Sequence, residues 1–281
     1  MKQRVITALI FGIVFIGAML LMNTIVFPAF VALLSAMAVW EIEKAVGLSN
    51  KMIAAASLAV SVAIPFITHF GVSFSVAPFG CLYVVLTFIF MLLKFETTKF
   101  EQAVIALFAS VCVPFSFSLM IVFRDIYKYF DGYTKIDGIF LLVLSFFAAW
   151  MTDIFAYFVG SKFGKHKLCP KISPKKTVEG AIGGVIFCII SAVIIWVLFQ
   201  NIFMPQLKFN FFGLLILAVL NAVISIIGDL SFSLIKRSLD IKDYSSIFPG
   251  HGGMLDRFDS IIFTAPVMLA IDSFMPFVTM G

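Results

Sequence analysis

The sequence predicts an all-α protein, a polytopic integral membrane helical bundle of about nine transmembrane helices. Three observations carry this. Hydrophobic residues fill 62% of the 281 positions and charged residues only 12%, about half the roughly 25% of an ordinary soluble domain. The apolar residues gather into nine runs close to the ~20 residues a helix needs to cross the hydrocarbon core. Between the runs no polar stretch is long enough to fold separately, so a division of chain length into about two soluble domains does not apply.

In order, the runs cover about residues 5–22, 24–40, 52–69, 76–93, 102–123, 138–160, 180–200, 211–230 and 256–278. The first follows MKQR, as the apolar part of a signal peptide would. No small-residue cleavage site follows it and eight more runs come after, so it reads as a retained helix. Only Asn23 and Thr24 separate it from the second run, and a tight re-entrant hairpin would give the same pattern. Residues 1–137 hold about five spans, and 138–281 form a C-terminal region with two charged loops, 161–179 and 231–259. With the N-terminus inside, the inside segments hold 16 Lys and Arg against 4 outside, the asymmetry of a cytoplasmic N-terminus. Most of the net charge of +5 therefore lies on one face, suited to anionic headgroups or a phosphorylated substrate, although insertion alone accounts for part of it. Cys81, Cys112 and Cys188 lie within apolar runs and Cys169 in a loop; with no CxxC pair, all four read as reduced and structural.

The acids have a distribution of their own. Asp153 lies about 22 Å into the sixth span from its outer end, Glu179 stands where the seventh begins, Asp229 falls at the inner end of the eighth, and Asp256 and Asp259 occupy the first turns of the ninth. Five carboxylates from four helices thus approach one cytoplasmic-side level. Asp272, about 27 Å along the ninth helix from Met254, falls near the outer interface instead. A spacing of three puts Asp256 and Asp259 on one helical face. Mg²⁺, with Asp229 approaching from the neighbouring helix, would relieve their repulsion, best with phosphate oxygens completing its shell. The alternative is an acidic first turn that complements the helix dipole.

The loops around these acids favour phosphate. In PGHGG, Pro249–Gly253, the glycines Gly252 and Gly253 lead into a helix and let backbone amides approach an anion. His251 is either a hydrogen-bonded loop histidine or a phosphate contact. Lys236, Arg237 and Lys242 are solvated positive-inside residues or phosphate ligands, and Arg257, between two acids, offers a fork suited to phosphate. Trp150, Asp153 and Tyr157 share a helical face, so an ionisable group is framed by aromatics within a span. Lys175 and Lys176, just before the seventh helix, fit an electrostatic clamp for a polyphosphate. Together these features suit metal-assisted phosphoryl or nucleotidyl transfer onto a membrane substrate.

The run SLIKRSLDIKDYSSIFPGHGGMLDRFD, Ser233–Asp259, resembles the signature of the phosphatidate cytidylyltransferases, the CDP-diacylglycerol synthases. WxxDxxAYxxGxxxG in the sixth span and SPKKTxEG in the following loop are similar to family features, so the resemblance covers about residues 150–260. It implies transfer of the cytidylyl group of CTP to phosphatidate, with Asp229, Asp256 and Asp259 on Mg²⁺ and with room for a second cation. Lys175, Lys176, Lys236, Arg237 and Arg257 would bind the triphosphate and the leaving pyrophosphate. The expected setting is the bacterial inner (plasma) membrane with a cytoplasmic site, the expected partners are CTP, phosphatidate, the lipid bilayer and a second copy in a homodimer, and nucleic acid is not among them. Replacing Asp256 by Asn is expected to abolish turnover and leave folding and insertion nearly intact. Two alternatives stay open: a CTP-using lipid kinase, which would transfer the γ-phosphate, and a transporter of an anionic solute. Transporters show paired, interrupted helices in two related halves, whereas the motifs here all lie between 150 and 260.

Overall fold

The computed structural model describes residues 2–71, 77–202, 208–248, 252–274 and 278–279. Among them are nine α-helices, one for each apolar run: α1 (Lys2–Leu20), α2 (Val26–Ala45), α3 (Lys51–Phe70), α4 (Ala77–Leu93), α5 (Phe100–Arg124), α6 (Lys135–Phe163), α7 (Val178–Ile202), α8 (Phe211–Ser238) and α9 (Leu255–Phe274). Their ends follow local chemistry. Asn50 caps α3 by accepting from the amides of Met52 and Ile53, and Gly71 closes it at φ +58°, a left-handed conformation that glycine adopts without strain. Thr134 and Asp137 form a capping box at the start of α6. The chain turns from α1 to α2 within a few residues, where the Thr24 hydroxyl donates to the Leu21 carbonyl at 2.7 Å.

Six helices, α2, α3, α5, α6, α7 and α8, are long and apolar enough to cross a membrane. The apolar stretches Leu9–Leu20 and Pro78–Leu93 are shorter, and α9 carries Asp256, Arg257, Asp259 and Asp272 along its length. The protein is therefore an all-α integral membrane bundle. Extended structure among the described residues is confined to short antiparallel pairs: β1 (Lys167–Cys169) with β2 (Ser173–Thr177), and β3 (Lys208–Phe209) with β4 (Val278–Thr279).

The chain divides into two compact units. Unit 1 comprises Met1–Ile121 and Ser238–Phe258, and unit 2 comprises Val122–Arg237 and Asp259–Gly281. In unit 1, α2 packs on α1 and α3, and α3 on α4. The core there holds Phe27, Val31 and Leu34 of α2, Phe117 of α5 and Phe258 of α9. The Phe117 and Phe258 rings meet edge to face at 5.7 Å.

In unit 2 the core holds Phe140, Leu141 and Leu144 of α6, Leu217 of α8, and Ala265 and Met268 of α9. Helices α6 and α7 cross so closely that a Cβ on Gly180 would lie 2.6 Å from the Ala156 carbonyl oxygen, and one on Gly184 2.8 Å from that of Thr152; small residues allow such backbone approach in membranes. Ile182, Ile186, Ile190 and Ile194 leave a continuous apolar stripe exposed along α7, a face suited to lipid. Just beyond α5, Asp125 accepts from Arg124 Nε at 3.0 Å and from Lys128 Nζ at 3.0 Å. Burial pushes its carboxyl up, but the bonds and charges of Arg124 and Lys128 outweigh this and hold it below the usual carboxylate range. Near the other end of α9 from the acid pair, Asp272 accepts from the Tyr133 hydroxyl at 2.8 Å. Burial and that neighbouring charge raise the Tyr133 phenol above its ordinary value.

Candidate active site

Unit 2 carries a cavity of about 630 Å³, whose lining includes Asp153, Tyr157, Lys175, Lys176 and Asp229. Its architecture starts with the β1–β2 hairpin between α6 and α7. Glu179, in the first turn of α7, holds the base of that hairpin. It accepts from the backbone amides of Lys165 at 3.0 Å and His166 at 3.2 Å, and the His166 Nδ1 lies 2.6 Å away. The Thr177 hydroxyl accepts from the Gly180 amide at 3.1 Å, capping α7. Glycines at 160, 164 and 180 leave room for the Thr177 side chain. Both strands are thereby held at the base of the hairpin, and its second strand presents Lys175 and Lys176 to the cavity. Glu179, which the sequence places near the other acids, serves the hairpin base and is not among the residues lining the cavity.

Three carboxylates gather in this unit, from α6, α8 and α9. Asp229 forms an ion pair with the Lys176 ammonium and accepts from the Ser233 hydroxyl at 3.3 Å. Ser260 links the other two. Its hydroxyl donates to Asp153 at 3.0 Å and its backbone amide to Asp259 at 2.7 Å. Asp259 is only 6% exposed, and it feels the charges of Asp229 and Asp153, opposed by that of Lys236. Like charges this close in a buried setting call for cations, and Lys176 and Lys236 supply two. Lys236 and Arg237 belong to the last turn of α8, and Arg237 Nε donates to the Ile172 carbonyl at 3.3 Å, joining α8 to the hairpin turn. Asn221 and Ser225 lie on the same face of α8 as Asp229, at helical spacings of four, buried and with no hydrogen-bond partner for their side chains among the described residues.

The signature loop of unit 1 has a different organisation. Asp256 accepts from the backbone amides of Tyr244 at 3.0 Å and Gly253 at 2.9 Å, so its carboxylate closes the loop that precedes its own helix. Glu41, from α2, reaches the same loop and accepts from the amides of Met254 at 2.8 Å and Leu255 at 2.7 Å. The glycines are explained by these contacts. Gly252 sits at φ +83° with Asp256 beside it, and a Cβ on Gly253 would land on the Glu41 carboxylate. Lys242 and Arg257 are exposed in this unit, and His251 lies outside the described residues. Asp256 and Asp259 stand three residues apart as expected, yet one clasps backbone amides and the other joins the buried carboxylates. Glu41 and Ser260 were not singled out by the sequence. Glu41 stands among Glu43 and Lys44 at the end of an apolar run, and Ser260 has only its adjacency to Asp259.

Among the described residues, no cluster of three or more His, Cys, Asp or Glu side chains is arranged to hold a metal ion by itself. A Mg²⁺ site needs less than that, because one or two carboxylates suffice when waters and substrate phosphates complete the octahedron. Asp229 and Asp259 are hard oxygen donors of this kind, and they fit such an ion together with phosphate oxygens. The cavity can thus hold a polyphosphate against Lys175 and Lys176, with the half-buried Asp153 and Asp229 in the same wall.

The sequence was compared with known proteins. A profile of the cytidylyltransferase family matches residues 2–275. A phosphatidate cytidylyltransferase of Bacillus subtilis is 36% identical over 185 residues, covering 66% of this chain and 64% of that protein. One of Haemophilus influenzae is 45% identical over 129 residues, 46% of this chain and 44% of that protein, and one of Aquifex aeolicus is 42% identical over 132 residues, 47% of each. The chain thus spans about half to two thirds of the length of these relatives. With the profile running through α1 to α9 and the lysine and carboxylate pocket in unit 2, the chain belongs to the cytidylyltransferase family.

Proposed function

We propose that the protein transfers the cytidylyl group of CTP to phosphatidate, forming CDP-diacylglycerol and releasing pyrophosphate at the cytoplasmic face of a bacterial inner membrane. The observation that carries this reading is the unit 2 cavity, where Lys175 and Lys176 share a lining with Asp153 and Asp229. In the reaction a phosphate oxygen of phosphatidate attacks the α-phosphorus of CTP, and the bond to the β-phosphate oxygen breaks. That oxygen is already largely ionised near neutral pH, so no strong general base is needed, and catalysis reduces to positioning and charge neutralisation. Lys175 and Lys176 bind and orient the β- and γ-phosphates and neutralise the leaving pyrophosphate. Lys236 and Arg237 add positive charge from the end of α8. Asp153 holds Ser260, and Ser260 in turn fixes Asp259. Asp229 and Asp259 would hold Mg²⁺, which would supply electrostatic stabilisation of charge on the transferred phosphate; the assignment of Asp256 to the ion rests on the signature run alone, its carboxylate accepting from the amides of Tyr244 and Gly253. Tyr157 lines the cavity and is 71% exposed, consistent with an opening toward lipid. Lys242, Arg257 and His251 are assigned to phosphate contact on the strength of the signature run alone.

The test uses membranes containing the protein, phosphatidate, Mg²⁺ and CTP labelled separately at the α- and γ-phosphates. The α-label should enter the lipid fraction while the γ-label leaves as pyrophosphate. Entry of the γ-label into lipid would instead identify a kinase, and transfer of neither label by folded protein would remove the reading.

A further inference from the structure

We infer that Glu41 of α2 is a positioning residue for the signature loop, holding the start of α9 in the geometry its carboxylates require; this rests on the proposed cytidylyl transfer. Glu41 is fully buried, 0% exposed, so it acts through its neighbours and not on substrate. Both of its oxygens are engaged. Oε1 accepts from the Met254 amide at 2.8 Å and from the Ser245 hydroxyl, and Oε2 accepts from the Leu255 amide at 2.7 Å. The first amides of a helix lack partners within it. A carboxylate more than 200 residues earlier in the chain supplies them here, and its charge also complements the positive end of the helix dipole.

The arrangement is a double clasp. Glu41 holds Ser245, Met254 and Leu255, while Asp256 holds Tyr244 and Gly253. The two carboxylates grip overlapping parts of one loop, and Gly253 lies between them with no room for a Cβ against Glu41. The amides of Gly253, Met254 and Leu255 are thereby fixed between two carboxylates, and Asp256 follows directly from them. Without Glu41, Asp256 would be left to hold the loop alone. The use of both carboxylate oxygens of a buried side chain on one loop assigns its role.

The test uses the full-length protein in detergent and compares wild type with Glu41→Gln, Glu41→Ala, Gly253→Ala and the double variant Glu41→Ala/Gly253→Ala. Amide hydrogen exchange is read over residues 252–258 and, as a control, over α6 and α7. Steady-state kinetics are read for CTP. Positioning predicts that both Glu41 variants remain monodisperse with unchanged exchange in α6 and α7, while the amides of 252–258 exchange at least about tenfold faster. It predicts a kcat about 10- to 100-fold lower with KM for CTP changed by less than about threefold, since a misplacement of about 1 Å can cost that much in rate. Gln, which keeps one acceptor oxygen, should lose less than Ala. Gly253→Ala should be harmful alone and add nothing in the Glu41→Ala background, because the collision is then gone. Unchanged exchange at 252–258, additive defects, or a loss of protection in α6 and α7 equal to that in the loop would each overturn the inference. If wild type itself fails to convert CTP, the proposed reaction falls, and the exchange data still decide whether Glu41 holds the loop.

Discussion

Asp259 and Asp256 show how two carboxylates three residues apart acquire different duties. Asp259 is buried beside Asp153 and Asp229, so replacing it by Asn removes the carboxylate without opening space and leaves an amide oxygen that can still accept from the Ser260 amide. Turnover of Asp259→Asn should fall by about 10²–10³, the scale of a lost electrostatic contact to the transition state, while its melting temperature in detergent stays at or above that of wild type. Asp256→Asn should also lose turnover. Because the Asp256 carboxylate holds the amides of Tyr244 and Gly253, this variant should in addition melt lower, by about 1–3 kcal/mol of stability; equal melting of the two variants would contradict the division of roles. Asp125 offers a pH test. Its carboxyl lies below the ordinary range in the folded protein, so its contribution is complete above the unfolded value near 3.9 and is lost as pH falls through the lower folded value. Melting curves of wild type and Asp125→Asn from pH 7 to pH 3 should converge at the acid end. The readable residues in this sequence were those whose charge is costly in an apolar run, Asp153 and Asp229 above all. Glu41 was not readable, because an acid near Glu43 and Lys44 resembles an ordinary interfacial cluster and its partners are far away in the chain.

At the level of elements, the helices were legible and the hairpin was not. A membrane helix announces itself by about 20 apolar residues in a row, and all nine runs became helices with ends displaced by a few residues. KLCPKISPKKT has no alternation of apolar and polar residues to mark strands. Its β1–β2 pairing is held at the base by the Glu179 contacts with Lys165 and His166 and by the Thr177 cap of α7, and at the turn by Arg237 of α8, contacts that no strand pattern announces. Gly160 and Gly164, like Gly180 and Gly184, stand at GxxxG spacing, and close packing of α6 on α7 accounts for Gly180 and Gly184. Gly180→Val should therefore strike the Ala156 carbonyl and force α6 and α7 apart. The expected cost is about 1–3 kcal/mol, typical of overpacking, seen as a lower melting temperature, with loss of the lysine clamp as a secondary effect. A stable Gly180→Val would mean that the two helices can separate without penalty.

For the whole molecule, the asymmetry of Lys and Arg predicts which side of the membrane the hairpin occupies. Cys169, at the end of β1, should react with a membrane-impermeant maleimide in inverted vesicles and be protected in right-side-out cells; Cys188, buried in α7, should react in neither. Labelling of Cys169 from outside would reverse the topology. Another consequence concerns how the protein is made. Unit 1 is completed by Ser238–Phe258, and Glu41 waits for the Met254 amide, 213 residues downstream. At synthesis rates of roughly 5–20 residues per second, that wait lasts about 10–40 s, during which α2 has emerged with a carboxylate whose final partners do not yet exist. A ribosome stalled anywhere before the signature loop would leave that acid without the amides of Met254 and Leu255 that it holds in the finished chain.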